Sequence, residues 1–195
     1  MKYKAICFDA DGMVLVPKRF SQEIQKDYNI PWAVMEAFFA SPFQQCKVGK
    51  ADLKEELSKV IEIWGWKGTV EELTAYWFNI CSEVDMQMVG YIRSLRETGV
   101  LCYLTTNQEK YRVEFLRDQR DFRSLFDDIF VSAEIGYTKN SIKFFESFYK
   151  HLSVPKGEVL FCDNDSENIE TAHEFGLETH LYKDFDSFAK VVNEL

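Results

Sequence analysis

The stretch Lys4-Ala5-Ile6-Cys7-Phe8-Asp9-Ala10-Asp11-Gly12 begins as a short apolar run and ends in two aspartates and a glycine. An apolar run of this length, stopped by charged residues, reads as a buried strand. Residues two apart on a strand point the same way, so Asp9 and Asp11 project together just past its carboxyl end. Open α/β sheets bind ligands at that edge. Two adjacent carboxylates repel unless a cation lies between them or they take different protonation states, and both outcomes suit chemistry. A hard divalent cation such as Mg2+ would bind them through oxygen. Gly12 lets the backbone turn and approach a ligand closely. The bland alternative is a solvated turn that happens to carry two acids.

Further strand-like runs follow at 100–104, 128–131, 158–162 and, more weakly, 179–182. Helical patterns separate the later ones. Met86 to Thr98 is stopped by Gly99, Ser141 to Leu152 carries Phe145, Phe148, Tyr149 and Leu152 at helical spacing, and Ser166 to Phe175 ends at Gly176. Strands alternating with helices predict an α/β fold, a Rossmann-like parallel sheet with helices on both faces. Residues 17–85 are different, with no convincing strand. Ser21–Tyr28 reads as a helix, Pro31 suits a first turn leading into Trp32–Phe39, and Leu53, Leu57, Val60, Ile61 and Trp64 form one apolar stripe. Thr69-Val70-Glu71-Glu72 is a capping box opening another helix. The expected organisation is a catalytic core of 1–16 and 86–195, interrupted after its first strand by a small all-helical cap at 17–85.

Composition bounds the function. A net charge of −9 opposes general nucleic-acid binding but leaves small phosphorylated ligands open, because a local lysine, amides and a metal ion can capture them. Cys7, Cys46, Cys81, Cys102 and Cys162 form no C-x-x-C pair, and three of them lie in strand-like runs, so reduced core thiols in a cytoplasmic protein are expected. The apolar run at Ile6 is broken by Asp9 and Asp11 and does not resemble a signal peptide. No run approaches the roughly 20 apolar residues a membrane span needs.

The other strand ends add to the aspartate pair. The second ends in Thr105-Thr106-Asn107 and the fourth in Asp163-Asn164-Asp165, while Gly136-Tyr137-Thr138-Lys139 places a lysine in a turn before a helix. Each element alone is ordinary: a helix cap, a turn, a solvated charge. Together and in this order they resemble the haloacid dehalogenase superfamily in its phosphatase form. Asp9-Ala10-Asp11-Gly12 matches its first motif, Thr106-Asn107 its second, Lys139 its third and Asp163 its fourth. The resemblance covers the core. The insert matches in position and helical character, as the small cap of subfamily I, and Phe43…Gly49 is similar to a branch that includes sugar-phosphate phosphatases.

The resemblance implies a phosphohydrolase working through an aspartyl phosphate. Asp9 would attack phosphorus, and Asp11 would protonate the leaving alcohol and then activate water. Mg2+ would be held by Asp9, Asp163 and Asp11, the last through its backbone carbonyl, and Lys139 would balance charge. Gly12, Thr106, Asn107 and Lys139 would bind the phosphate, with Lys143 a weaker substitute for the lysine. The family often has a second aspartate where Asn164 stands, so Asp165 or Glu167 would complete the metal site or the acid is dispensable. Asn140 replaces a frequent proline. The expected substrate is a small phosphorylated metabolite, with a sugar phosphate as one candidate. The alternatives are a phosphomutase or a non-catalytic binding protein on the same fold; a phospho-receiver module would need no insert. Cap residues Lys18, Arg19, Trp32, Gln45 and Lys47 are the candidates for specificity. Oligomeric state is not encoded in these motifs.

Overall fold

A computed structural model gives the fold and describes residues 2–193. Met1, Glu194 and Leu195, at the ends of the expected core segments, lie outside the described residues. Strands β1 (Ala5–Phe8), β2 (Leu101–Thr106), β3 (Asp128–Val131), β4 (Val159–Asp163) and β5 (Glu178–Leu181) form one sheet in the order β3-β2-β1-β4-β5. Every pairing is parallel. β1 is central and buried on both faces, which is why its sequence is a continuous apolar run rather than an alternating one.

Five helices lie between β1 and the rest of the sheet: α1 (Phe20–Tyr28), α2 (Trp32–Ala40), α3 (Pro42–Lys47), α4 (Leu53–Ser58) and α5 (Val70–Ile80). The core helices are α6 (Met86–Glu97), α7 (Lys110–Gln119), α8 (Phe122–Leu125), α9 (Ser132–Ile135), α10 (Ile142–Tyr149), α11 (Ser166–Phe175) and α12 (Phe185–Asn193). Ile6 and Phe8 bury one face of β1 against Met88 and Ile92 of α6 and Phe188 of α12. Ala5 and Cys7 bury the other against Phe144, Phe145 and Phe148 of α10 and Ala172 of α11. Each such fully buried large side chain contributes about 1.5–3 kcal/mol. The result is the expected layer of parallel strands between two layers of helices.

The inserted helices have their own core, centred on Phe20, Phe38, Leu57, Trp64, Leu73 and Trp77. Tyr111 and Phe115 of α7 pack against it, so the insert sits on that helix. Its two connections to the sheet pair with each other: Val16 N–H donates to the Glu83 carbonyl at 2.8 Å and Asp85 N–H to the Val14 carbonyl at 2.9 Å. α5 opens with the capping box, Thr69 and Glu72 exchanging hydrogen bonds of 2.7 and 3.1 Å. The stripe from Leu53 to Trp64 is only partly helix. α4 stops at Ser58, and bonds such as Val60 N–H to the Leu57 carbonyl tighten the remainder into turns. All five cysteines are free and buried, and no described helix is long and apolar enough to cross a membrane.

Candidate active site

Phe8 of β1 lies opposite Cys162 of β4, so Asp9 and Asp163 leave the sheet side by side. Lys139 reaches them from the turn between α9 and α10. Its Nζ donates to Asp9 Oδ1, to Asp163 Oδ2 at 2.6 Å and to the Thr105 carbonyl at 3.2 Å. An ammonium has three protons, and each is used. The lysine is 1% exposed. Burial opposes its charge, but Asp9 and Asp163 outweigh that and hold its pKa above the ordinary value. Asn107 anchors the turn, its Oδ1 accepting from Lys139 N–H at 2.9 Å. Burial drives the Asp9 carboxyl up to about 7; Lys139 opposes the shift, and Asp163 and Asp11 add to it.

Asp11 is held differently. Its carboxylate is half exposed and turned onto Arg112, which grips it with Nη2 to Oδ1 at 2.6 Å and Nη1 to Oδ2 at 3.0 Å. Gln108 Nε2 also donates to Oδ2, at 2.5 Å. Arg112 is 7% exposed and donates a further bond of 2.7 Å to the Cys81 carbonyl, where the chain returns from the insert. Bidentate guanidinium–carboxylate pairing fixes orientation as well as charge. Arg112 and Gln108 are absent from the residues the sequence singles out. They stand four residues apart around the start of α7, whose N-cap is Glu109, accepting from the amides of Tyr111 and Arg112. Gln108 stands two residues after Thr106, just before that cap, and Arg112 lies in the first turn, its Nη1 donating to Gln108 Oε1 at 3.2 Å.

The donor set fits a hard divalent cation. Asp9 and Asp163 are two buried carboxylates sharing one ammonium, so the cluster is short of positive charge, and their repulsion adds to the burial that lifts Asp9. The donors there are oxygens. Asp11 keeps its side chain on Arg112 and offers only its backbone carbonyl, which lies against the Asp163–Asn164 corner and accepts from Asn164 Nδ2 at 3.1 Å. Accordingly, no group of three His, Cys, Asp or Glu side chains is gathered for a metal among the described residues. Asp165 is spent as the N-cap of α11, its Oδ1 accepting from Glu167 N–H at 2.9 Å, and Glu167 is exposed in the first turn. Gly12 is required twice: its φ is +85°, and a Cβ there would stand 2.4 Å from Asn164 Nδ2.

Thr105 and Thr106 alternate across β2. The Thr105 hydroxyl donates to the Phe8 carbonyl at 3.4 Å inside the sheet, which leaves Thr106, the final strand residue, as the hydroxyl at the edge. Lys143 lies on α10 beside the exposed Tyr137, away from the carboxylates. Of the cap candidates, Lys18 and Trp32 line a cavity with Asp11, and Arg19 and Gln45 do not. Lys47 is lowered in pKa, first by burial and then by the charge of Lys139. Ser132 Oγ donates to the Lys47 carbonyl at 2.6 Å, and a Cβ on Gly49 would meet the Ala133 carbonyl at 2.3 Å, so this part of the insert is pressed onto the core.

No protein-family model matches the chain. It is 29% identical over 143 residues to a D-ribitol-5-phosphate phosphatase of Bacteroides thetaiotaomicron, covering 70% of this chain and 69% of that one. It is 27% identical over 179 residues to a sesquiterpene phosphatase of Aspergillus oryzae, covering 90% and 87%. Its fold superposes on a haloacid dehalogenase family enzyme of Bacteroides thetaiotaomicron in complex with magnesium, with a TM-score of 0.84, 18% identity and coverage of 99% and 100%. That enzyme has also been determined with magnesium and inorganic phosphate together. The chain shares its fold with this haloacid dehalogenase family enzyme. In that fold Asp9, Lys139 and Asp163 converge at one sheet edge.

Proposed function

We propose that this protein is a Mg2+-dependent phosphoric monoester hydrolase that works through an aspartyl phosphate on Asp9. The observation that carries the reading is the buried Asp9–Lys139–Asp163 cluster, one positive charge short, with the half-exposed Asp11 beside it. The relatives named as phosphatases, and the neighbour determined with magnesium and phosphate, support it.

In the first step Asp9 Oδ attacks phosphorus, the bond from phosphorus to the ester oxygen breaks, and Asp11 gives its proton to the departing alcohol. In the second, Asp11 takes a proton from water, the water oxygen attacks phosphorus, and the bond to Asp9 breaks to release phosphate. The same group is acid and then base, as general acid–base catalysis requires of a two-step displacement. Asp9, Asp163 and the Asp11 carbonyl would hold Mg2+, which would supply charge neutralisation for phosphoryl transfer. Lys139 holds the nucleophile in place and offsets its charge. The Thr106 hydroxyl and the amides of Gly12 and Asn107 bind phosphate oxygens. Arg112 and Gln108 orient Asp11. The helices between 17 and 85 act as a cap over this edge. The free, buried cysteines suit the reducing cytoplasm.

The test is phosphate release from a panel of phosphate monoesters, with Mg2+ and after chelation. Metal-dependent release is expected. Release of free phosphate, rather than isomerisation of a sugar phosphate, separates a hydrolase from a phosphomutase. A panel that stays uncleaved with Mg2+ present refutes the reading.

A further inference from the structure

A cavity of about 300 Å³ opens beside Asp11, between the core and the inserted helices. Resting on the phosphatase reading above, we infer that the alcohol half of the substrate is apolar and is held by the aromatic wall of this cavity. Asp11 protonates the departing oxygen, so the body of the alcohol has to extend from Asp11, and this is a cavity that Asp11 lines.

Its wall is built from Phe20, Trp32, Phe39 and Trp77. The rings form two stacked pairs, Phe20 with Trp77 at 4.6 Å between centroids and Trp32 with Phe39 at 5.5 Å. The polar side chains around it are mostly engaged. Lys18 is paired with Glu83 at 2.6 Å, and Arg112 is committed to Asp11 and the Cys81 carbonyl. The Ser21 hydroxyl remains. The cavity is open on one side, so a polyol would keep its water there and gain little from the rings, whereas an apolar body exchanges water for contact with the four aromatic side chains.

An aromatic stripe in a small helical unit is ordinarily core, and Phe20 and Trp77 do belong to the buried cluster of the insert. Trp32 does not. It is 41% exposed, lies outside that cluster and stands at the cavity with only Phe39 stacked on it. A large ring kept open to solvent beside the acid is placed for a ligand, not for folding. At the ~30 Å³ a water molecule occupies in the liquid, the cavity takes a body of about ten such atoms. A roomier cavity of about 510 Å³ lies elsewhere on the insert, between Tyr28, Trp66 and Tyr76, but no residue of the four motifs lines it.

The experiment compares kcat/KM for phosphates of primary alcohols, so that leaving-group reactivity is matched: 2-phenylethyl and decyl phosphate against glycerol 1-phosphate and ribitol 5-phosphate. The apolar esters are expected to win by at least ~tenfold, the scale on which apolar pockets discriminate. Trp32→Ala is expected to lower that ratio by about tenfold, chiefly through KM, and Trp32→Phe to restore most of it. A thermal melt of Trp32→Ala checks that the protein is folded. Equal or better turnover of the polyol phosphates overturns the inference and leaves the phosphatase reading standing. So does a Trp32→Ala variant that loses the same factor on both series. No phosphate release from either series, or from p-nitrophenyl phosphate, overturns the phosphatase reading and this inference with it.

Discussion

Replacing Arg112 with methionine removes a guanidinium that makes two bonds to Asp11, one to the Cys81 carbonyl and one to Gln108 Oε1 at 3.2 Å. Methionine keeps much of the stem's volume, so the effect is on charge and orientation. Stripping one partner from a fully buried ion pair costs about 3–5 kcal/mol. Here the Asp11 side chain is 50% exposed and regains water when released, so the expected loss is about 2 kcal/mol, a fall of about 4–8 °C in Tm for a chain of this size. The effect on chemistry is selective. An alkyl phosphate needs its leaving oxygen protonated, and a misplaced general acid costs on the order of 10²-fold. A nitrophenyl phosphate leaves without much help and should lose less than about fivefold. The assay is kcat/KM for the two ester types in wild type, Arg112→Met and Arg112→Lys, the last keeping charge but not the fork. Equal losses on both esters, or a full rescue by lysine, would refute the claim that Arg112 acts by orienting Asp11.

Other outcomes follow from the same geometry. Lys139→Met leaves Asp9 and Asp163 buried without their shared cation; about 3–5 kcal/mol should be lost without metal, and Mg2+ should restore more stability to the variant than it adds to wild type, as melts with and without the ion would show. Gly12→Ala forces a side chain onto a backbone at φ +85° and into Asn164, so metal-dependent turnover should fall at least ~tenfold with a modest change in melting. Asp52 caps α4 and joins the insert to Lys110 and Tyr111 of α7; burial works against its charge, but those two side chains and the helix amides more than offset this and hold its pKa at about 2. Because the folded value lies below the unfolded one near 3.9, its stabilisation is present at neutral pH and is lost as pH falls through about 2. After allowance for solvent screening, wild type should exceed Asp52→Asn by about 1 kcal/mol at pH 7, a gap in Tm that should vanish near pH 2.

The sheet was readable because β1 and β4 are buried on both faces and end abruptly in aspartates, so apolar runs and strand ends coincide. Helices with strong punctuation were readable as well: Gly99 and Gly176 stop α6 and α11 in left-handed conformations, and Thr69 with Glu72 opens α5. α7 was not. It is strongly polar, and its N-cap is a glutamate rather than the Ser, Thr, Asp or Asn that marks most helix starts. Missing it hid Gln108 and Arg112, since an arginine in an unassigned polar segment looks like a solvated charge. The apolar stripe of α4 overstated its length, because residues past Ser58 keep helical spacing while turning more tightly. Motif spacing singles out Asp9, Asp11, Thr106, Lys139 and Asp163 as candidates. It carried no information on which way the Asp11 carboxylate turns, because that depends on α7 and on the return from the insert.

The central claim is that Asp9 is the nucleophile. Asp9→Asn keeps the shape of the side chain and removes the carboxylate that burial destabilises most, so the metal-free protein should melt no lower than wild type. With Mg2+ and p-nitrophenyl phosphate it should release no phosphate above background. Undiminished turnover by the folded variant would contradict the account.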